Sequence, residues 1–373
     1  MVEVIREKVI PFYSEVAVNG IYIFKGYCMT NMVIPQLPVL YETENSNIFL
    51  IKSPTQENIE ISSKSLSKHF AHGDIIELNY HTKTIKNVLS SLSNENTLLL
   101  TEQCENRCLF CSQPPNDLPD THLYQKATLA LLNYNSQQLI GLTGGEPTIN
   151  KDAFIGLMSA LNQFGNNTPL HILSNGRNLG DYDFFEKLIG ETNNREIIWG
   201  IPLYGHTSSL HNMIVGIKEA FSNTLEGLLN LSTTRHTIEL RIVVVKQNYR
   251  YIKNILAFIN SNFPVIKMIS IMKLEPMGWA RKNYEDLYVS VDEQNNFLHG
   301  ALTSFNLKRF DIKLLNYPLC LLHEGLRDYA VKSISDWKNY YPDECNKCLV
   351  RENCCGYFSS SVNSYYEKPK AML

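Results

Sequence analysis

The chain lacks any apolar run approaching the ~18 residues that a membrane-spanning helix requires, so no span is expected among its 373 residues. Excess charge of one sign is also missing: 34 Lys and Arg stand against 37 Asp and Glu, a formal net charge of −3. That balance gives no electrostatic footprint for nucleic acid or an anionic membrane. The opening residues, Met1-Val2-Glu3-Val4-Ile5-Arg6-Glu7-Lys8, carry acids and no long apolar core, so they do not read as a secretion signal. Nine cysteines in a long chain of this kind point to metal ligation rather than a disulfide framework, and to a reducing cytoplasm. With 44% hydrophobic residues a sizeable core is available, and the length favours two or three domains.

What is present is dominated by one short motif. Cys104, Cys108 and Cys111 are spaced C-x3-C-x2-C, and three thiolates so placed can wrap one side of a cubic iron–sulfur cluster. A fully protein-ligated [4Fe–4S] cluster takes four cysteines. No fourth lies nearby in the sequence, which leaves one iron open. A zinc loop is the alternative, although structural zinc sites usually draw a C-x2-C pair from each of two loops. The motif follows a short apolar run at 97–100 that reads as a buried strand. A helix-like stretch at 124–134 and a second strand at 139–143 come next, ending in Gly144-Gly145-Glu146-Pro147. Paired glycines let backbone approach a ligand closely, and a glutamate can accept a hydrogen bond from an ammonium group.

The strand–helix rhythm continues with strands at 169–176, 196–204, 237–245 and 268–275. Helical patterns at 182–189, 217–231 and 251–262 separate them. Six strands alternating with helices predict a parallel sheet, whose ligands sit beyond the carboxyl ends of the strands. The cysteine and Gly-Gly-Glu motifs both fall at those ends. Arg241 lies within an otherwise apolar strand, where an unpaired charge is costly. Glu239 points the same way and offers it a structural pair.

The cysteine loop and Gly144 to Pro147 together resemble the radical S-adenosylmethionine (radical SAM) superfamily. The resemblance implies a partial (β/α)6 barrel, a [4Fe–4S] cluster on Cys104, Cys108 and Cys111, and S-adenosylmethionine (SAM) chelating the open iron. It places Gly144, Gly145 and Glu146 near the methionine part of SAM and Phe110 near the adenine. A reduced cluster would then cleave SAM to a 5′-deoxyadenosyl radical that takes hydrogen from a substrate, with a low-potential electron donor as partner. Asn175, in Ser174-Asn175-Gly176, either bonds the ribose or closes a capping turn. The SAM carboxylate is the alternative partner for Arg241. His206 and His211, with Tyr204, stand at the end of the fourth strand as candidate substrate contacts or structural residues.

Two flanking regions complete the α/β organisation. Residues 1–95 read as a small β-rich module, with Ile21 to Phe24 and Ile48 to Ile51 as strands, a hairpin after Gly73, and Cys28 as a buried small residue. Residues 96–300 form the barrel. Residues 301–373 are a cysteine-rich extension in which Cys320, Cys345, Cys348 and Cys354 could hold a second iron–sulfur cluster or a zinc ion, Cys355 leaving the choice within its pair open. The next cysteine of a peptide-maturase auxiliary domain is missing, and Phe358 stands in its place. Thr101 to Pro115 and the tail around Lys332 to Ser360 resemble the radical SAM maturases of the His-Xaa-Ser repeat peptide system. That narrower resemblance implies modification of a ribosomally made peptide beside a second radical SAM protein. Rival readings are a radical SAM enzyme acting on a small molecule or nucleotide, as in molybdenum-cofactor synthesis, and a non-catalytic metal-binding interaction protein.

Overall fold

A computed structural model describes residues 10–11, 19–25, 39–42, 48–53 and 56–62, then 69–134, 137–304, 309–335, 338–362, 365 and 367–373. Cys28 lies outside the described residues. The N-terminal strands are β1 (Ile10–Pro11), β2 (Asn19–Lys25), β3 (Val39–Glu42), β4 (Ile48–Ser53), β5 (Gln56–Ser62), β6 (Ile75–Asn79) and β7 (Thr84–Leu89). They form one sheet in the order β1-β7-β6-β2-β3-β4-β5, with β6 and β7 as the expected hairpin. Asp74 is buried at the start of that hairpin. Its carboxylate accepts hydrogen bonds from the Ser90 hydroxyl at 3.0 Å and the Ser91 amide at 2.8 Å, which folds the connection to the next sheet back on itself. Ile75 and Leu89 share one core with Leu98 and Leu100 of that sheet.

The second sheet is parallel, and its strands lie side by side in chain order. They are β8 (Thr97–Thr101), β9 (Ile140–Gly144), β10 (Leu170–Leu173), β11 (Ile197–Pro202), β12 (Thr237–Val244), β13 (Met268–Lys273), β14 (Asp311–Leu315) and β15 (Ala330–Val331). Helices α1 (His122–Asn133), α2 (Lys151–Gln163), α3 (Tyr182–Thr192), α4 (Ser208–Val215), α5 (Ala220–Leu231) and α6 (Ile252–Asn262) fill the first crossovers. The short α7 (Trp279–Lys282) and α8 (Tyr284–Leu287), with α9 (Val291–Thr303), occupy the connection from β13 to β14. Right-handed crossovers in strict order put the helices on one face and curl the sheet into an open barrel.

Alternation along β12 shows the two faces. Ile238, Leu240, Ile242 and Val244 bury against the helices, while Glu239 and Arg241 turn to the barrel interior. Local signals set the helix starts. Asn150 and Asp181 cap α2 and α3 by accepting backbone N–H bonds, and Ser290 with Glu293 forms a capping box on α9.

The sheet exceeds the six strands read from sequence by β14 and β15. Residues 311–315 place only Ile312 and Leu314 in the core, and β15 has two residues, too short for any period to show. Near the C-terminus, β16 (Asn339–Tyr340) pairs antiparallel with β17 (Tyr357–Phe358). That ribbon brackets Cys345, Cys348 and Cys354. Among the described residues no helix is long and apolar enough to cross a membrane.

Candidate functional site

The cysteine loop leaves β8 at Thr101 and crosses the carboxyl edge of the sheet. Four neighbouring segments fasten it. The Asp120 carboxylate accepts from the Thr101 hydroxyl at 3.0 and 2.9 Å. The amides of Arg107 and Leu109 donate, each at 3.0 Å, to the carbonyls of Val215 and Ile214, groups that the last turn of α4 leaves unpaired. After β13, the Trp279 amide and the Asn283 side chain donate to the Cys111 and Leu109 carbonyls, both at 2.8 Å. Gly278, at φ 59°, lies so close that a Cβ there would sit 2.5 Å from the carbonyl oxygens of Cys111 and Ser112.

The Gly-Gly-Glu turn is the fourth fastening. Gly145 and Glu146 donate backbone hydrogen bonds to Thr101 and Gln103, both at 2.8 Å. A Cβ on Gly144 would meet the Thr101 oxygen at 2.4 Å, and one on Gly145 the Gln103 oxygen at 2.1 Å. The space that the missing side chains free is therefore filled by the cysteine loop itself. Glu146 is fully buried. One of its oxygens accepts from the Thr148 amide, the Thr148 hydroxyl and the Ser174 hydroxyl at 2.9, 2.6 and 2.8 Å, and the other from the Asn175 amide at 2.6 Å. This carboxylate joins the end of β9 to the end of β10. Burial, and then the nearby charge of Glu105, push its pKa up to about 7.

Cys104, Cys108 and Cys111 all have raised thiol pKa values, first through burial. Cys108 is pushed up to about 12 by burial and then by the charge of Cys111. Burial thus favours the neutral form of all three thiols, and a bound cation would favour the ionised one. Beneath them Phe110 packs edge-on against Tyr204, with ring centroids 4.9 Å apart. Leu210, Ile214, Val215, Val245 and Leu274 complete that apolar floor. The buried Tyr204 phenol is raised well above 10 by burial and then by the neighbouring Cys108 charge, with Arg241 opposing.

The histidines divide. His211 is buried, accepts the Tyr204 amide proton on Nδ1 at 3.2 Å, and is held near pKa 4 by burial and then by the Arg177 charge. It is a neutral part of the scaffold. His206 Nδ1 is buried without a partner, and its ring centroid stands 5.8 Å from that of Tyr251.

For Arg241 the structure shows the internal pair. Its guanidinium donates to both oxygens of Glu239, at 3.1 and 3.0 Å, and to the Met272 sulfur at 3.3 Å. His171 at 2.8 Å and the Ser270 hydroxyl complete the shell around Glu239. Burial alone would raise this carboxyl. The His171 hydrogen bond, the Arg241 charge and the Ser270 hydroxyl instead bring it down to about 2.

Two side chains passed over in the motif reading also stand here. Glu105, inside the cysteine motif, accepts from the Asn175 side-chain amide at 3.0 Å on one oxygen, and its other oxygen is buried without a partner. Arg177 donates to the Asn106 side chain at 2.8 Å and lies 3.8 Å from Glu105, while its Nε is buried without a partner. A charged residue between ligand-spaced cysteines was the available signal for Glu105. Nothing in the sequence marked Arg177.

The C-terminal cysteines form a separate group. Cys320, Cys345, Cys348 and Cys354 line one pocket together with Tyr341 and Tyr357. Cys354 Sγ accepts from the amides of Leu319 and Gly356, both at 3.4 Å. Cys355 is buried with Ile334 and Phe358 in a small apolar cluster. Among the described residues no three His, Cys, Asp or Glu side chains converge closely enough to hold a single metal ion.

These features define an open α/β barrel carrying a three-cysteine loop at its carboxyl edge. Residues 98–259 match the model of the Radical SAM superfamily, so the chain contains a radical SAM domain. No curated protein matches the chain. Among solved structures, Streptococcus suis SuiB bound to its precursor peptide SuiA aligns with TM-score 0.44 and 15% identity, over 58% of this chain and 47% of that one. The anSMEcpe protein with bound AdoMet aligns with TM-score 0.43 and 15% identity, over 55% and 59%. TYW1 with a lysine-pyruvate adduct aligns with TM-score 0.37 and 16% identity, over 55% and 70%. The chain spans about half the length of SuiB.

Radical SAM domains use a [4Fe–4S] cluster and SAM, and the residues here fit both. Three half-buried thiols with no fourth cysteine in the loop are the right donor set for a cluster with one open iron. The unpartnered Glu105 and Arg177 atoms leave hydrogen-bonding capacity beside the loop for a polar ligand.

Proposed function

We propose that this chain is a radical SAM enzyme that modifies a ribosomally made peptide of the His-Xaa-Ser type. Cys104, Cys108 and Cys111 hold the cluster, and the Gly144-Gly145-Glu146 turn shapes the side on which SAM sits. When bound, cluster and SAM supply a 5′-deoxyadenosyl radical that takes a hydrogen atom from the substrate. The protein's part is geometry and protection. The four fastenings of the loop fix the thiols, while Phe110 and Tyr204 keep water from beneath them. Glu239, with His171 and Ser270, holds Arg241 inside the barrel. The observation that carries the reading is a three-cysteine loop at the carboxyl edge of a domain matched to this superfamily.

Residues 1–95 act in this reading as a β-rich module and 96–300 as the barrel, with the last two strands of the sheet lying beyond residue 300. Residues 301–373 carry a second metal centre, an iron–sulfur cluster or a zinc ion, on Cys320, Cys345, Cys348 and Cys354. The peptide assignment rests on the resemblance of Thr101 to Pro115 and of the tail. A low-potential electron donor and a second radical SAM protein are the partners, and the setting is the cytoplasm. The test is anaerobic reconstitution followed by SAM, a low-potential reductant and a peptide of His-Xaa-Ser repeats. Formation of 5′-deoxyadenosine with a mass change in the peptide supports the reading. 5′-Deoxyadenosine without any change in the peptide sinks the substrate and leaves the enzyme.

A further inference from the structure

The helices that hold the cysteine loop from the β13 side are held in turn by the last residues of the chain. Trp279 and Asn283 donate to the Cys111 and Leu109 carbonyls, both at 2.8 Å, and Tyr284 packs against the apolar floor that contains Phe110. These contacts stand on and around α7 and α8, of four residues each, and helices so short have little stability of their own. The segment from Tyr365 onward braces them. The Tyr284 hydroxyl donates to the Tyr365 carbonyl at 3.0 Å, and the two rings meet edge-on with centroids 4.6 Å apart. Tyr284 also stacks on Tyr288, with centroids 4.7 Å apart. The Tyr288 hydroxyl donates to the Glu367 carboxylate at 2.6 Å. The Val291 amide, at the start of α9, donates to both oxygens of the same carboxylate, at 3.0 and 3.1 Å. Lys273, at the end of β13, is buried; burial disfavours its ammonium, and the Glu367 charge opposes that effect. Residues 367–373 form no helix or strand, so an irregular segment docks through one carboxylate with a phenol, a helix N-terminus and an ammonium around it. Hydrogen bonds to charged groups are the stronger ones, and removing one partner of a buried charge pair leaves the other uncompensated.

We propose that this segment is a brace for the cluster loop, with Glu367 as its positioning residue. Glu367 fixes Tyr288 and, through the stacked Tyr284, the neighbouring Asn283 amide that holds the Leu109 carbonyl between Cys108 and Cys111. The inference rests on the radical SAM reading. It adds to that reading residues far outside the matched stretch at 98–259, on which the arrangement of the three thiols depends. Glu367 touches neither cluster nor substrate and acts only through α8.

The experiment follows the EPR signal of the full chain, reconstituted anaerobically, reduced and mixed with SAM, while an iron chelator is present in excess. Only a cluster with an open iron gives a SAM-shifted signal, so the decay reports on the cysteine loop alone. Glu367→Ala is expected to lose that signal at least about fivefold faster than wild type, the worth of one ordinary hydrogen bond, and to show altered g-values before any iron is lost. Glu367→Gln, which keeps an acceptor for Tyr288 and Val291, should fall between the two. The control is Leu161→Ala, fully buried near the end of α2, on the opposite edge of the barrel. It should melt at least as early yet keep wild-type g-values and decay within twofold of wild type. The brace is overturned if Glu367→Ala keeps the wild-type spectrum and decay, or if Leu161→Ala speeds the decay as much as Glu367→Ala does. Should Glu367→Ala fail to fold, Tyr288→Phe, which keeps the stacked ring and deletes only the hydroxyl, is read against the same control, and a wild-type decay there overturns the brace. Iron-loaded wild type without any SAM-responsive signal would instead sink the radical SAM reading as a whole.

Discussion

Replacing Gly145 by alanine tests what the Gly-Gly-Glu turn is for. The new methyl carbon would stand 2.1 Å from the Gln103 oxygen, 2.6 Å from its carbonyl carbon and 3.0 Å from the Cys104 Cβ. These are backbone atoms and the root of the Cys104 side chain, so no flexible group can swing aside. Relief requires the cysteine loop to retreat by roughly 1 Å, which stretches the Glu146-to-Gln103 hydrogen bond now at 2.8 Å. Overpacking of this kind costs about 1–3 kcal/mol and a strained hydrogen bond about 1 more. The expected result is a melting temperature several degrees lower and an iron content well below wild type, read by differential scanning fluorimetry and an iron assay. Gly156→Ala is the matched control. It lies in α2 with nothing within 4 Å of an added Cβ, and should raise stability by about 0.5–1 kcal/mol. A Gly145→Ala protein that melts like wild type and loads full iron would refute the packing argument.

Glu239 should make the fold acid-sensitive. Its carboxyl is brought down to about 2 from its ordinary 4.5, so its stabilisation is fully present above pH ~4.5 and is lost as pH falls towards 2, on the order of 3 kcal/mol in all. Urea melts between pH 5 and 3 should show this slope in wild type and little of it in Glu239→Gln. His211 adds a second slope. Its folded value near 4 lies below the ordinary 6.5 of histidine, so stability is complete above pH 6.5 and declines from there down to 4; His211→Phe should flatten melts over that window. At the C-terminus, the proposed second metal centre predicts that Cys354→Ser lowers the metal content of the reconstituted chain. Cys355→Ser should leave iron content unchanged and cost about 1–2 kcal/mol, because that thiol lies in apolar packing.

The alternation of apolar strands and amphipathic helices made the barrel legible, because buried strands and helix stripes impose different periods on the sequence. The cysteine loop was legible through spacing alone. Short or half-exposed strands were not: β14 puts only two side chains in the core, and β15 none that is fully buried. Partner choice was the other gap. Arg241 had two candidate anions in the sequence, and only the folded strand shows its guanidinium on Glu239. The paired glycines announced a close approach but not what approaches, since a missing Cβ serves backbone and ligand equally. Cys354 and Cys355 were indistinguishable as neighbours, and adjacent side chains in an extended segment diverge. One accordingly lines the pocket and the other joins the core.

The most direct measurement is low-temperature EPR of the anaerobically reconstituted, reduced protein, before and after SAM is added. The expected spectrum is that of a [4Fe–4S]⁺ cluster whose signal shifts on binding SAM, with the shift absent when Cys104, Cys108 and Cys111 are all replaced by alanine. A triple variant that keeps the SAM-responsive signal, or a wild-type loop that carries zinc and no iron, would contradict the account.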